Sequence, residues 1–126
     1  MSPVTANEFS RIALLASLPG DRLSDLASRM KRETVQPGKT VVIEGEPGER
    51  FYVVLSGMLE VTQAGRGQRS ILKPGDYFGE VALAMDIPRT ASVRAITPST
   101  VASCDKATFD EYVRPVFAED EPERAS

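Results

Sequence analysis

The sequence predicts a mainly β domain, a sandwich or barrel of short antiparallel strands with flanking helices. From Glu33 onward, short runs rich in Val, Ile, Phe and Tyr alternate with turn clusters. Glycines at 38, 48, 57, 65 with 67, and 75 place turn signals about 8 to 12 residues apart, the spacing of such folds. Ahead of these runs, apolar residues recur every three or four positions, which is the helical period.

In chain order, Ile12, Leu15 and Leu18 predict a first short helix. The Pro19-Gly20 break ends it. Leu23, Leu26, Ala27 and Met30 then predict a second helix, capped by Asp21 or the glycine before it, with Lys31 and Arg32 suited to its C-terminal dipole. The strand candidates are "TVVIE", "RFYVVLS", "MLEVTQ" and "RSILK", separated by "QPGK", "GEPGE", "AGRG" and "KPGD". Each separator carries the Gly or Pro of a tight reversal, and Arg66 and Arg69 read as a solvated hairpin tip. Two more strands are expected near Thr90 to Ala95 and Thr100 to Cys104. Asp105 to Arg114 reads as a helix, with Asp105 its cap, Phe109, Tyr112 and Val113 on one face, and Pro115 its stop. Residues 1–8 read as an N-terminal extension, 9–117 as the domain, and 118–126, "AEDEPERAS", as an acidic, disordered tail.

Composition bounds the chemistry. A chain of 126 residues, 41% hydrophobic and 26% charged, suits one soluble domain with a core of its own. No apolar run approaches the roughly 18 residues of a membrane span, and no signal-peptide layout opens the chain, so no membrane partner and a cytoplasmic location are expected. The lone Cys104 fits a reducing compartment and reads as a small core residue. A net charge of -3 argues against a nucleic-acid partner. The chain has no histidine. That removes Ser-His and Cys-His nucleophile pairs and histidine-ligated metal sites, including the histidine cluster typical of a metal-dependent barrel enzyme.

The densest chemistry lies in "FGEVALAMDIPRTASVRA", residues 78–95. "EVALAM" holds good helix formers but spans only a turn or two. A short helix between strands offers backbone N–H groups and a dipole to an anion. Gly79 admits a ligand close to the backbone, and Arg89, set after Pro88, supplies a planar fork for a phosphate. Glu80 suits a hydroxyl on the same ligand. An anion, a hydroxyl and a sheltered pocket point to a phosphorylated sugar or nucleotide.

"PGDYFGEVALAMDIPRTASVRA" closely resembles the phosphate-binding cassette of the cyclic nucleotide-binding domain, and "GEPGERFYVVLSG" is similar to that family's strand-turn-strand signature. The resemblance runs over about Phe9 to Arg114 and implies a β-roll, a jelly-roll barrel of the double-stranded β-helix kind. It also implies a non-enzymatic sensor of cAMP, with cGMP left open and no cofactor besides that ligand. On that resemblance, Glu80 accepts the ribose 2′-hydroxyl and Arg89 pairs with the cyclic phosphate. Backbone amides of Ala82, Leu83 and Thr90 complete the cradle, the Thr90 hydroxyl faces the phosphate or a guanine amino group, and Gly79 and Ala91 belong to the same set. Val61, Val81 and Leu83 are expected to wall the pocket, and Gly45, Gly48, Gly57 and Gly75 to serve as turn glycines.

Members of the family follow the helix near Lys106 with a longer one that closes over the base. Pro115 and the acidic tail stand in its place here, so a poorly capped base is expected. No helix-turn-helix, channel or kinase-inhibitory segment is expected within these residues. Output is therefore expected through an unidentified protein effector, a homodimer or a larger parent protein. The alternative is a degenerate roll that mediates interaction or dimerisation without nucleotide. Each assignment also has a plainer reading: Arg89 as a structural ion-pair partner, Glu80 as a helix cap, Thr90 as a β-former.

Overall fold

The computed structural model describes residues 12–65 and 69–117. The expected extension 1–8, the tail 118–126 and Arg66 of the hairpin tip lie outside them. The expected first helix is a single 3-10 turn, Ala13–Leu15, which carries Leu15 into the core. Helix α1, Gly20–Arg29, follows it and buries Leu23, Leu26 and Ala27. Its N-cap is Pro19, not Asp21 or the glycine, and no side chain caps it. The Pro19 carbonyl instead accepts the Leu23 N–H at 2.9 Å, and Asp21 sits in the first turn beside the dipole. Lys31 and Arg32 are not in its last turn: Met30 is extended, at ψ 147°, and starts the chain into a strand.

Among the described residues, eight strands form two antiparallel four-stranded sheets, the roll that the sequence led us to expect. The first sheet takes the order β1 (Lys31–Val35), β8 (Ser99–Asp105), β3 (Arg50–Ser56) and β6 (Tyr77–Phe78). The second takes the order β2 (Thr40–Val42), β7 (Ser92–Ala95), β4 (Leu59–Thr62) and β5 (Arg69–Leu72). Strands β1 and β6 were not anticipated. In "KRETV" only Val35 is buried, so no apolar alternation announces β1; its register comes from β8, with Lys31 opposite Ser103 and Val35 opposite Ser99. Strand β6 is two residues long, held by Tyr52 and Val53 of β3.

The uninterrupted run "RFYVV" becomes intelligible in β3, which is buried on both faces. Phe51 and Val53 point to a core shared with Leu15, Leu26, Phe109 and Tyr112 of the helical layer. Tyr52 and Val54 point to the other core, between the sheets, with Leu59, Phe78, Val93 and Val101. Cys104 is fully buried in the helix-facing core, and burial pushes its thiol up to about 12.

Asp105 caps the next helix as expected, its Oδ1 accepting the Thr108 N–H at 2.9 Å. Helix α3, Lys106–Thr108, runs into a π turn, Phe109–Val113, with Phe109, Tyr112 and Val113 buried. Pro115 does not stop it, because a further helical turn covers 114–117. Proline has no N–H for the carbonyl four residues back, and its ring crowds that carbonyl in an α turn. The wider π turn lies just ahead of the ring, and the Glu111 carbonyl accepts instead from Arg22 Nη2 at 3.0 Å.

Two glycines separate the cost of backbone conformation from that of close approach. Gly38 and Gly57 have φ of 86° and 84°, but a Cβ meets nothing within 4 Å at Gly38, whereas at Gly57 it would fall 2.3 Å from Ser99 Oγ and 2.5 Å from the Pro98 carbonyl. In urea denaturation, Gly38→Ala should lose about 1 to 2 kcal/mol, the left-handed penalty alone. Gly57→Ala should lose about 3 kcal/mol or more, since backbone must also move.

Candidate ligand-binding site

Strand β6 ends at Phe78, and Gly79, at φ 93°, turns the chain into helix α2, Glu80–Met85. A Cβ at Gly79 would lie 2.7 Å from Arg89 Nη1 and 2.9 Å from the Arg50 carbonyl, so both φ and space demand glycine here. Asp86, also left-handed at φ 54°, closes the helix, its N–H bonded to the Ala82 carbonyl. The chain then returns through Pro88 to Arg89.

Arg89 is the charged centre of the site. It is only 7% exposed. Its Nη1 donates to the Gly79 carbonyl at 3.2 Å and its Nη2 to the Arg50 carbonyl at 2.8 Å, tying the head of α2 to the start of β3. Its backbone is held as well, the N–H bonded to Glu46 O at 2.8 Å and the carbonyl to the Gly45 N–H at 2.9 Å. The guanidinium carbon lies 5.8 Å from the centre of the Tyr52 ring. Among the described residues no carboxylate forms an ion pair with Arg89. Burial accordingly lowers its affinity for its proton, against the attraction of Tyr52, Glu80 and Glu49. A buried cation held by carbonyls, without a counter-charge in contact, is a seat for an anion.

Glu80 is half-buried at the first position of α2. Burial raises its pKa above the usual carboxylate value, while its own N–H and that of Val81 pull it down, followed by the charge of Arg89. Its side chain lines the cavity at the head of α2.

That cavity, about 150 Å³, has Gly79, Glu80, Val81 and Ala82 on its α2 side and Arg89, Thr90 and Ala91 on the returning chain. Val42, Val61, Phe78 and Val93 make its apolar wall. Seven of the expected site residues thus converge, as does Val61, but Leu83 does not line the cavity. It is 1% exposed and belongs to the helix-facing core. Helical geometry is the reason, since two positions along a helix rotate a side chain by about 200°, so Val81 and Leu83 cannot share a face.

Sequence reasoning missed three contributors. Gly48, read as a turn glycine, has no positive φ; a Cβ there would stand 2.4 Å from Ala82 Cβ and 3.3 Å from Arg89 Cζ. Arg50 contributes its carbonyl, and its own side chain is pinned to Ser103 by bonds of 2.9 and 3.2 Å. Tyr52 contributes its ring, stacked on Phe78 at 4.8 Å. Successive strand residues face opposite sides, but the uninterrupted apolar run of β3 carries no signal of which side Tyr52 takes.

A family model described as "Cyclic nucleotide-binding domain" matches residues 32–115. The chain belongs to this family. Among curated proteins it is similar to the cAMP-dependent protein kinase regulatory subunit of Yarrowia lipolytica, 42% identical over 86% of this chain and 29% of that protein. It is also similar to the cGMP-dependent protein kinase egl-4 of Caenorhabditis briggsae, 34% identical over 85% of this chain and 15% of that protein. Among solved structures, the regulatory domain of Toxoplasma gondii PKA, co-crystallised with cAMP, superposes with a TM-score of 0.82. It is 26% identical, with 94% of this chain and 48% of that one covered. The chain spans less than a third of the curated relatives it matches. No helix among the described residues is long and apolar enough to cross a membrane.

The raised pKa of Glu80 fixes the sign of a pH effect. The folded state holds this proton more tightly than the unfolded chain does. That contribution to stability is therefore present below the carboxylate range and lost as pH rises through it. In the ligand-free protein, Glu80→Gln should raise the urea midpoint at neutral pH. The gain should vanish by about pH 3, below the ordinary glutamate pKa.

Proposed function

We propose that this domain is a cytoplasmic, non-catalytic sensor that binds a cyclic mononucleotide, cAMP in the first place, in the cavity between α2 and the sheets. The observation that carries the reading is Arg89, a buried guanidinium beside the cavity with two carbonyl partners and, among the described residues, no carboxylate in ion-pair contact. Arg89 pairs with the cyclic phosphate, Glu80 accepts the ribose 2′-hydroxyl, and the amides of Ala82, Leu83 and Thr90 complete the phosphate contacts. Leu83 takes part through its backbone alone, consistent with its buried side chain. Thr90 and Ala91 border the ligand where the chain leaves Arg89.

A Yarrowia relative named as a cAMP-dependent regulatory subunit and the Toxoplasma domain crystallised with cAMP support the choice of ligand. The exposed Thr90, together with a relative named as a cGMP-dependent kinase, keeps cGMP as the second ligand to try. A degenerate roll without a ligand is disfavoured by the cost of leaving a desolvated cation beside an empty cavity. Binding reports outward by favouring one arrangement of the flanking helices. The receiver is a protein effector, a second copy of the chain or an attached domain.

Calorimetric titration with cAMP and cGMP tests the reading. Saturable one-to-one binding is expected, weakened in Arg89→Ala by about 2 to 5 kcal/mol, the cost of removing one partner of a buried charged pair. A folded protein that takes up neither nucleotide would refute the proposal.

A further inference from the structure

A helix as short as α2 leaves its last carbonyls without partners of its own. The Ala82 carbonyl is taken by the following turn, which includes the Ile87 N–H at 3.2 Å. The next two are taken from outside. Arg114, in the segment beyond the π turn, donates through Nη2 to the Leu83 carbonyl and through Nη1 to the Ala84 carbonyl, both at 3.3 Å. Asp110 clasps the opposite edge of the same guanidinium: Nε donates to its Oδ1 at 2.9 Å, and Nη2 lies 2.8 Å from that oxygen. The other oxygen of Asp110 accepts from Lys106 Nζ at 3.0 Å. The Arg114 fork is thus fixed before it reaches α2, and a cation at a helix C-terminus is favoured by the dipole.

Helix α2 is consequently gripped by an arginine at each end. Arg89 holds the Gly79 carbonyl just ahead of it, and Arg114 holds its last turn. Only Arg89 reaches the cavity. Six residues of helix span about 9 Å, so a shift at one end is carried nearly undiminished to the other.

Resting on the reading that the cavity takes a cyclic nucleotide, we propose that Arg114 is a positioning residue for that site. It touches no part of the ligand. By anchoring the C-terminal end of α2, it holds Glu80 and the amides of Ala82 and Leu83 in the register that binding requires, and Asp110 acts through it.

The test is calorimetric titration with cAMP of the wild type, Arg114→Met, Arg114→Lys and Asp110→Asn, well below each variant's melting temperature. Arg114→Met keeps the packing length and removes the fork, and should weaken binding about 3- to 30-fold, the range for changes along a coupling network. Arg114→Lys keeps the charge and should recover part of the loss. Asp110→Asn should fall between wild type and Arg114→Met, and it carries the comparison if Arg114→Met does not fold. A lowered melting temperature with an unchanged cAMP affinity in the folded variants would make Arg114 merely structural and overturn the inference. Wild-type protein that binds no cAMP would instead overturn the reading of the cavity, and this inference with it.

Discussion

Everything at the cavity depends on one buried guanidinium and the carbonyls it bridges. Arg89 joins Gly79, at the head of α2, to Arg50, at the start of β3, through bonds of 3.2 and 2.8 Å. These are charge-assisted bonds inside the protein, where an unpaired cation would be costly. The arrangement requires that α2 lie almost on top of β3, which explains why Gly48 and Gly79 leave no space for a methyl group. The oxygens that hold the arginine are neutral, and Glu80 and Glu49 act on its charge without forming an ion pair among the described residues, so the same contacts that build the wall also set its electrostatic character.

The strand beneath this site separates the molecule into two packed regions. Through Tyr52 and Val54, β3 forms part of the inter-sheet core that backs the cavity, and through Phe51 and Val53 it touches the helical layer. Helix α2 repeats the division on a smaller scale, with Val81 on the cavity and Leu83 in the helix-facing core that also holds Phe51 and Phe109. The cavity-facing and helix-facing sides are therefore two surfaces of the same few residues. Domain motion is not needed for one to feel the other.

What could be read from the amino-acid order was what is local. Gly79, Glu80 and Arg89 lie within eleven positions of one another, and their residue types alone suggest an anion seat. The turns at Gly38, Gly45, Gly57 and Gly75 were equally plain, because positive φ is a property of the residue itself. The partners of Arg89 were not legible: its bond to the Arg50 carbonyl spans 39 positions, and a backbone oxygen leaves no trace in the sequence. Strand β1 escaped notice because a polar edge strand owes its conformation to its neighbour, and the run through Pro115 because a π turn and Arg22 together absorb what a proline would otherwise break. The predicted caps at α1 failed for a similar reason, since Pro19 uses its main chain where a side chain was sought.

The single cysteine has a practical consequence. Cys104 is wholly inside the helix-facing core, and with its thiol pushed up to about 12 it carries almost no thiolate at neutral pH. A maleimide dye would pass over the native molecule and react once the core has opened. The residue is thus a built-in reporter of global unfolding, and a second cysteine introduced on the surface near α2 would take up a fluorophore alone, with no need to remove the first.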